Sequence, residues 1–204
     1  MKKNVIIILC SLVIIIFNIV LLNLLLSKNN ENIVLFSRVN ELLIKESIIK
    51  KQFFLQQSFE SMCIPDTILS KPNNIYFHSF SSLVKNGRPK LFFRFRETNC
   101  DACVQKTLRI IGGIVNEMPK DNIIILCSYT NARKFYAYKE TQNICVYNVN
   151  EKFLPLDDQE EPYFFVLTDD LRIKNIFITI KEDDKYTIDY LNCIINRYYN
   201  HNKK

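Results

Sequence analysis

The chain has 204 residues, 48% of them hydrophobic and 24% charged, with a formal net charge of +6. That length suits one domain with an appendage, and it is enough to build a core without disulfide staples. The basic residues are spread along the chain with no nucleic-acid motif beside them, which argues against nucleic acid as a partner.

From Val5 to Leu26 the chain reads "VIIILCSLVIIIFNIVLLNLLL", uncharged and broken only by Ser11, Asn18 and Asn23. As a helix this run is about 33 Å long, enough to cross a hydrocarbon core of about 30 Å. It is too long for the apolar region of a cleaved signal peptide, and "LLNLLLSKNN" offers no small-x-small cleavage site. A lipoprotein signal at Cys10 is disfavoured by bulky Leu9. An uncleaved anchor is therefore expected. Lys2, Lys3 and the amino terminus outweigh Lys28 with its neighbour Glu31, so the start of the chain should lie in the cytoplasm and the remainder outside. Disulfides are permitted in that compartment.

Asn32 to Met62 is helical in character, free of glycine and proline. Leu35, Val39, Leu42, Ile49 and Phe53 form an apolar stripe, which Glu46 and Gln56 interrupt where a heptad seam would continue. A stalk forming a homodimer and a helix packed on its own domain or on the membrane surface both fit this pattern, and the second is simpler. Pro65, Pro72 and the pair Asn73-Asn74 mark a loop. The expected organisation is an anchor over 1–28, a juxtamembrane helical segment over 29–66 and a folded domain over 67–204.

Beyond the loop, strands and helices alternate. "PKLFFRF" reads as a strand, "CDACVQKTLRIIGGIVNEM" as a helix, and "NIIILCSY" as a strand covered on both faces. "NARKFYAYKETQ" is a helix, "NICVYNV" a strand, and "PYFFVLTDDLRIKNIFITI" two strands around a turn. "TIDYLNCIINRYY" closes as a helix with Ile188, Leu191, Ile194, Ile195 and Tyr198 on one face. The order β-α-β-α-β-β-β-α implies an α/β domain with a mixed central sheet and helices on both faces.

Cys100 and Cys103 stand at the start of the first helix of this series. A zinc site would need two further ligands, and the chain has no second C-x-x-C and only His78 and His201. Buried structural thiols are the reading that suits Cys127, Cys145 and Cys193, which lie in apolar runs; it suits Cys100 and Cys103 poorly, since "ETNCDAC" is polar upstream. In a redox pair the helix start would favour the Cys100 thiolate, and Cys103, one turn on, could resolve a mixed disulfide. No metal and no cofactor are expected.

With "KLFFRF" leading into "NCDAC", the buried run "NIIILCSY" and the segment "EEPYFFVLTDD", residues from about Asn74 to Tyr199 resemble the thioredoxin superfamily. The likeness is strongest to its membrane-anchored, extracytoplasmic thiol–disulfide oxidoreductases. The resemblance implies a thioredoxin-like three-layer sandwich, preceded by an N-terminal transmembrane helix and a helical stalk. It implies catalysis by Cys100 and Cys103, and substrate binding at Glu161-Pro162, the counterpart of the family's cis-proline segment. Partners would be extracytoplasmic protein thiols or disulfides, reached from a single-pass anchor in the cytoplasmic membrane with the domain in the periplasm or its equivalent. The chain departs from the family in having Asn99 where a tryptophan is usual, and Asp101-Ala102 between the cysteines. Arg94 replaces a buried acid, so that it either points outward or stabilises a thiolate directly. Arg94 and Asp101 are the expected tuning residues. A catalytically inactive binding or scaffold module with a structural disulfide is the alternative from another class. A peroxidase would need a proline closer to Cys100 than Pro89.

Overall fold

The computed structural model describes residues 2–66, 68–69, 78–85, 88–114, 118, 120–149, 152, 154–181 and 183–200. Pro72 and the pair Asn73-Asn74, on which the expected loop partly rests, and His201 lie outside the described residues. Two compact units are present, Met1–Lys51 and Gln52–Lys204.

The first unit is helical. It belongs to α1 (Lys2–Phe59), a helix of 58 residues that runs without a break through the segments expected as anchor and juxtamembrane helix. From Ile14 to Phe59, with a mean hydropathy of 1.2, α1 is long and apolar enough to cross a membrane. Asn18, a polar interruption of the apolar run, donates its side-chain N–H to the Ile14 carbonyl at 2.8 Å. That local bond gives the amide one partner within its own helix. Further along, Glu41–Lys45 and Glu46–Lys50 are ion pairs one turn apart, at 2.5 and 2.6 Å.

The second unit is built on a five-stranded sheet. Its strands are β3 (Lys90–Arg96), β4 (Ile123–Ser128), β5 (Cys145–Asn148), β6 (Tyr163–Leu167) and β7 (Ile173–Ile178), in the order β5-β4-β3-β6-β7. β3, β4 and β5 are parallel, whereas on the other side of β3 strand β6 pairs antiparallel with β3, and β7 pairs antiparallel with β6. Three helices follow the expected order: α3 (Asp101–Ile114), α4 (Ala132–Glu140) and α5 (Asp184–Tyr198). A short pair, β1 (Ile68–Leu69) with β2 (His78–Ser79), leads into α2 (Phe80–Val84).

Alternation along β3 divides the core. Leu91, Phe93 and Phe95 face the cluster formed with Val104, Leu108 and Ile111 of α3, Phe135 and Tyr138 of α4, and Leu191, Ile194 and Ile195 of α5. Both parallel connections step the same way across the sheet, so crossovers of one hand place α3 and α4 on one face. The opposite face, including Phe92, Phe165 and Ile176, is covered by Leu55 of α1, Phe80 and Val84 of α2, and Leu154 and Leu156. Phe92 and Phe165, opposite each other in the register, stack with ring centroids 5.0 Å apart. Helices therefore lie on both faces, but the second layer draws on the end of α1.

That end also closes an edge. β7 is the outermost strand, and Gln52 donates to the Ile178 carbonyl (2.6 Å) and accepts from the Ile178 N–H (3.1 Å). Gln56 donates to the Ile176 carbonyl at 3.3 Å, and Glu60 accepts from the Asn175 N–H at 2.9 Å. Asn175 is left-handed, with φ 51°, a conformation asparagine tolerates better than most residues. The backbone then takes over, with Ser61 N–H to the Ile173 carbonyl at 2.7 Å and Ile173 N–H to the Met62 carbonyl at 2.9 Å. Residues 52, 56 and 60 are each four apart, so one helix face presents three side chains to a strand edge that would otherwise be open to pairing. The second compact unit spans Gln52–Lys204 and so includes these residues.

On α5 the buried residues are Thr187, Leu191, Ile194 and Ile195, while Ile188 is exposed. Cys193 is exposed as well, which corrects the expectation of a core thiol there. A cysteine within an apolar run need not share the buried face of its helix.

Candidate functional site

β3 ends where α3 begins, and the cysteine pair lies at that joint. Arg96 and Asn99 close the turn between them: the Asn99 N–H donates to the Arg96 carbonyl at 3.0 Å, and the Arg96 N–H donates to Asn99 Oδ1. Cys100 is the last residue before α3, and its carbonyl accepts the first helical bond from the Val104 N–H at 3.0 Å. Its side chain is exposed, whereas that of Cys103 is half-buried.

The two thiols are pushed in opposite directions. Cys100 is lowered, first by a hydrogen bond from the Cys103 thiol and then by the Cys103 N–H, with Lys181 and the Ala102 N–H adding to it. Cys103 is raised, mainly by burial and then by holding its proton against the Cys100 sulfur. A negative sulfur at position 100 thus meets a thiol donor, backbone donors at a helix start and a lysine, while position 103 keeps its proton. Asp101 is exposed in the first turn of α3.

Beside Cys103 lies a cavity of about 180 Å³, with Ala102, Lys106, Thr179, Lys181 and Asp184 in its wall. Lys106 pairs with Asp184 at 2.7 Å across it, joining α3 to α5. Thr179 connects this wall to Pro162: its N–H and its hydroxyl both donate to the Pro162 carbonyl, each at 2.9 Å. Upstream of Pro162, the Arg96 guanidinium donates to the Gln159 carbonyl (2.6 Å) and Asn99 Nδ2 to the Glu160 carbonyl (2.5 Å). These bonds bring the segment carrying Glu161 and Pro162 up to the cysteine loop. Pro162 is buried and Glu161 half-buried. No peptide bond among the described residues is cis, so the cis form expected at Glu161-Pro162 is corrected to trans.

Arg94 is corrected as well, since it neither points outward nor meets a thiolate. It is fully buried on the sheet face opposite α3, with Nε donating to Asp157 Oδ1 at 2.9 Å, Nη2 to Asp157 Oδ2 at 3.2 Å and Nη1 to the Phe95 carbonyl at 3.0 Å. Tyr163, opposite Arg94 in the register, donates its hydroxyl to Asp157 Oδ1 at 3.0 Å. Asp157 Oδ2 also accepts from the Leu154 N–H at 2.8 Å. A buried charge survives only with such a set of partners. An arginine in an inner strand is itself a signal that a buried carboxylate must exist elsewhere in the chain, and "LDD" just before Pro162 was a candidate for it.

Of the remaining cysteines, Cys127 is buried, and burial pushes its thiol up to about 12. Cys145 is half-buried, and Cys63 is exposed beside a bridge to Arg172. Asn99, Thr179, Lys181 and Lys106 were missed as site residues, because none carries a motif and each acquires its place from tertiary structure.

No family model matches the chain, and no curated protein matches it. Among solved structures, a protein from Chlorobium tepidum assigned as a thiol:disulfide interchange protein DsbE superposes with a TM-score of 0.50 at 11% identity, over 66% of this chain and 96% of that one. The chain has a thioredoxin-like fold. A protein from Bacteroides vulgatus assigned as a thiol-disulfide oxidoreductase (TM-score 0.48, 14% identity, 64% and 95% coverage) is also similar. So is reduced Prx3 from Vibrio vulnificus (0.49, 12%, 65% and 97%). At these identities the likeness concerns architecture, and the thioredoxin-like fold here sets its C-x-x-C pair at the end of its central strand.

Proposed function

We propose that this protein is a membrane-tethered thiol–disulfide oxidoreductase that acts outside the cytoplasm on protein thiols or disulfides. The anchor is the apolar part of α1, with the chain start in the cytoplasm. The observation that carries the reading is the asymmetry of the pair: an exposed, acidified Cys100 supported by a half-buried Cys103 that retains its proton.

In the reducing direction the Cys100 thiolate attacks a substrate disulfide. The substrate S–S bond breaks, a mixed disulfide forms at Cys100, and one substrate thiolate leaves. Cys103 then gives up its proton and attacks the Cys100 sulfur, which releases the second substrate thiol. Two electrons pass to the substrate, and Cys100–Cys103 becomes a disulfide. The oxidising direction runs the same steps backwards. Lys181 favours thiolate at both cysteines, and the Glu161-Pro162 segment orients the substrate chain beside them.

The roles are tested by trapping. Cys103→Ser should accumulate a mixed disulfide between Cys100 and a partner, because attack proceeds and resolution does not. Cys100→Ser should trap little. Equal trapping by both variants, or by neither, would remove this assignment and favour a scaffold whose pair is structural.

A further inference from the structure

Asn99 occupies a position with little reason to be buried, next to an exposed cysteine at the mouth of a loop, yet it is only 9% exposed. Its carboxamide explains this. Oδ1 accepts from the Arg96 N–H and so closes the turn before Cys100, while Nδ2 crosses to the Glu160 carbonyl at 2.5 Å. A carboxamide carries an acceptor oxygen and a donor nitrogen on one planar group, which suits it to accept on one side and donate on the other. The segment it reaches is already held at both ends, at Asp157 by the Arg94 ion pair and at Pro162 by Thr179. The Asn99 bond, with Arg96 to the Gln159 carbonyl at 2.6 Å beside it, fixes the middle. Since Asn99 is bonded covalently to Cys100, it also relates the height of the attacking sulfur to the backbone at Glu160–Pro162.

We propose that Asn99 is the positioning residue that holds this backbone in register with the Cys100–Cys103 pair, so that a protein disulfide is presented to the sulfur in line. The proposal rests on the exchange activity proposed above. A macromolecular substrate that lies along Glu160–Pro162 needs the register. A small disulfide that diffuses to Cys100 does not.

The experiment compares the full chain in detergent with its Asn99→Ala and Asn99→Asp variants, with dithiothreitol supplying electrons. Insulin serves as the protein disulfide and hydroxyethyl disulfide as the small one. Losing one hydrogen bond of alignment should lower kcat/KM for insulin about fivefold to tenfold, through KM more than kcat. The fall for insulin should be at least about fivefold greater than for hydroxyethyl disulfide. Asn99→Asp keeps the acceptor for Arg96 but sets an oxygen against the Glu160 carbonyl, so it should show the same selective loss. The effect of its added charge on the Cys100 thiol is common to both substrates, and Asn99→Ala, which adds no charge, controls for its effect on insulin itself. Equal losses for the two substrates would mean local structural damage and would overturn the proposal. So would an Asn99→Asp variant that behaves like the parent. A parent protein inert towards both substrates would instead bring down the exchange reading itself.

Discussion

The two sides of β3 hold polar groups in opposite ways. On the face away from α3, Arg94, Asp157 and Tyr163 are buried and bonded to one another. Just beyond the end of the same strand, Cys100 is exposed, with the Cys103 thiol, backbone N–H donors and the charge of Lys181 acting on it. One segment, from Leu154 to Pro162, touches both regions. The contrast separates two tasks: a satisfied ionic network locks a loop in place, while a sparsely bonded sulfur stays available for reaction.

The largest effect should come from breaking the lock. Arg94→Ala leaves Asp157 buried without its cation, at a cost of about 3–5 kcal/mol. For a domain of this size that corresponds to a fall of roughly 6–20 °C in Tm, measurable by thermal denaturation. Replacing both partners, Arg94→Met with Asp157→Leu, should recover part of the loss, the remainder reflecting the Tyr163 hydroxyl and the Leu154 N–H that lose their acceptor. A single variant within about 1 kcal/mol of the parent would mean that the pair is dispensable.

Next is the sealed edge of β7. A fragment beginning at residue 67 loses Gln52, Gln56 and Glu60, and with them four bonds to the strand. At about 1 kcal/mol each, several kcal/mol of stability should go, and the bared edge should promote self-association in gel filtration. A fragment that begins before Gln52 should keep its stability. If the shorter fragment proves equally stable and monomeric, α1 is no part of the domain.

A smaller effect separates the buried thiol from an exposed one. Cys127→Ser places a hydroxyl where the thiol meets the Tyr147 carbonyl at 3.4 Å, and it should cost about 1–3 kcal/mol in chemical denaturation. Cys193→Ser, on the open face of α5, should change stability by less than about 0.5 kcal/mol.

The pH dependence of reactivity gives the finest contrast. Thiolate is the nucleophile, so a lowered thiol reaches half its maximal alkylation rate at a lower pH than an unstructured cysteine peptide, which titrates near about 8.5. Cys100 should behave so with iodoacetamide, and Cys103, pushed the other way, should lag behind it. Mass spectrometry of alkylated peptides across pH would report both. A midpoint for Cys100 at or above that of the peptide would reverse the sign.

The element order from β3 to α5 could be read from periodicity, because each strand and helix carries its own apolar pattern. The C-x-x-C pair at a helix start was legible for the same reason, since spacing and context lie within a few residues. What escaped were contacts between side chains and distant backbone. Gln56 looked like a flaw in an apolar stripe; its partner, Ile176, lies 120 residues away. Arg94 advertised a buried counterion, but nothing local chose Asp157 over Asp158. Asn99 registered as a missing tryptophan, and its bond to Glu160 spans 61 residues.

The central claim is that Cys100 and Cys103 form an exchanging pair and not a structural disulfide. Its most direct test is the reduction potential of the pair in the full chain, taken by equilibration with dithiol buffers and thiol trapping. The account predicts a value in the range of known exchangers, about −120 to −270 mV. A value below about −300 mV, where structural disulfides lie, would contradict it.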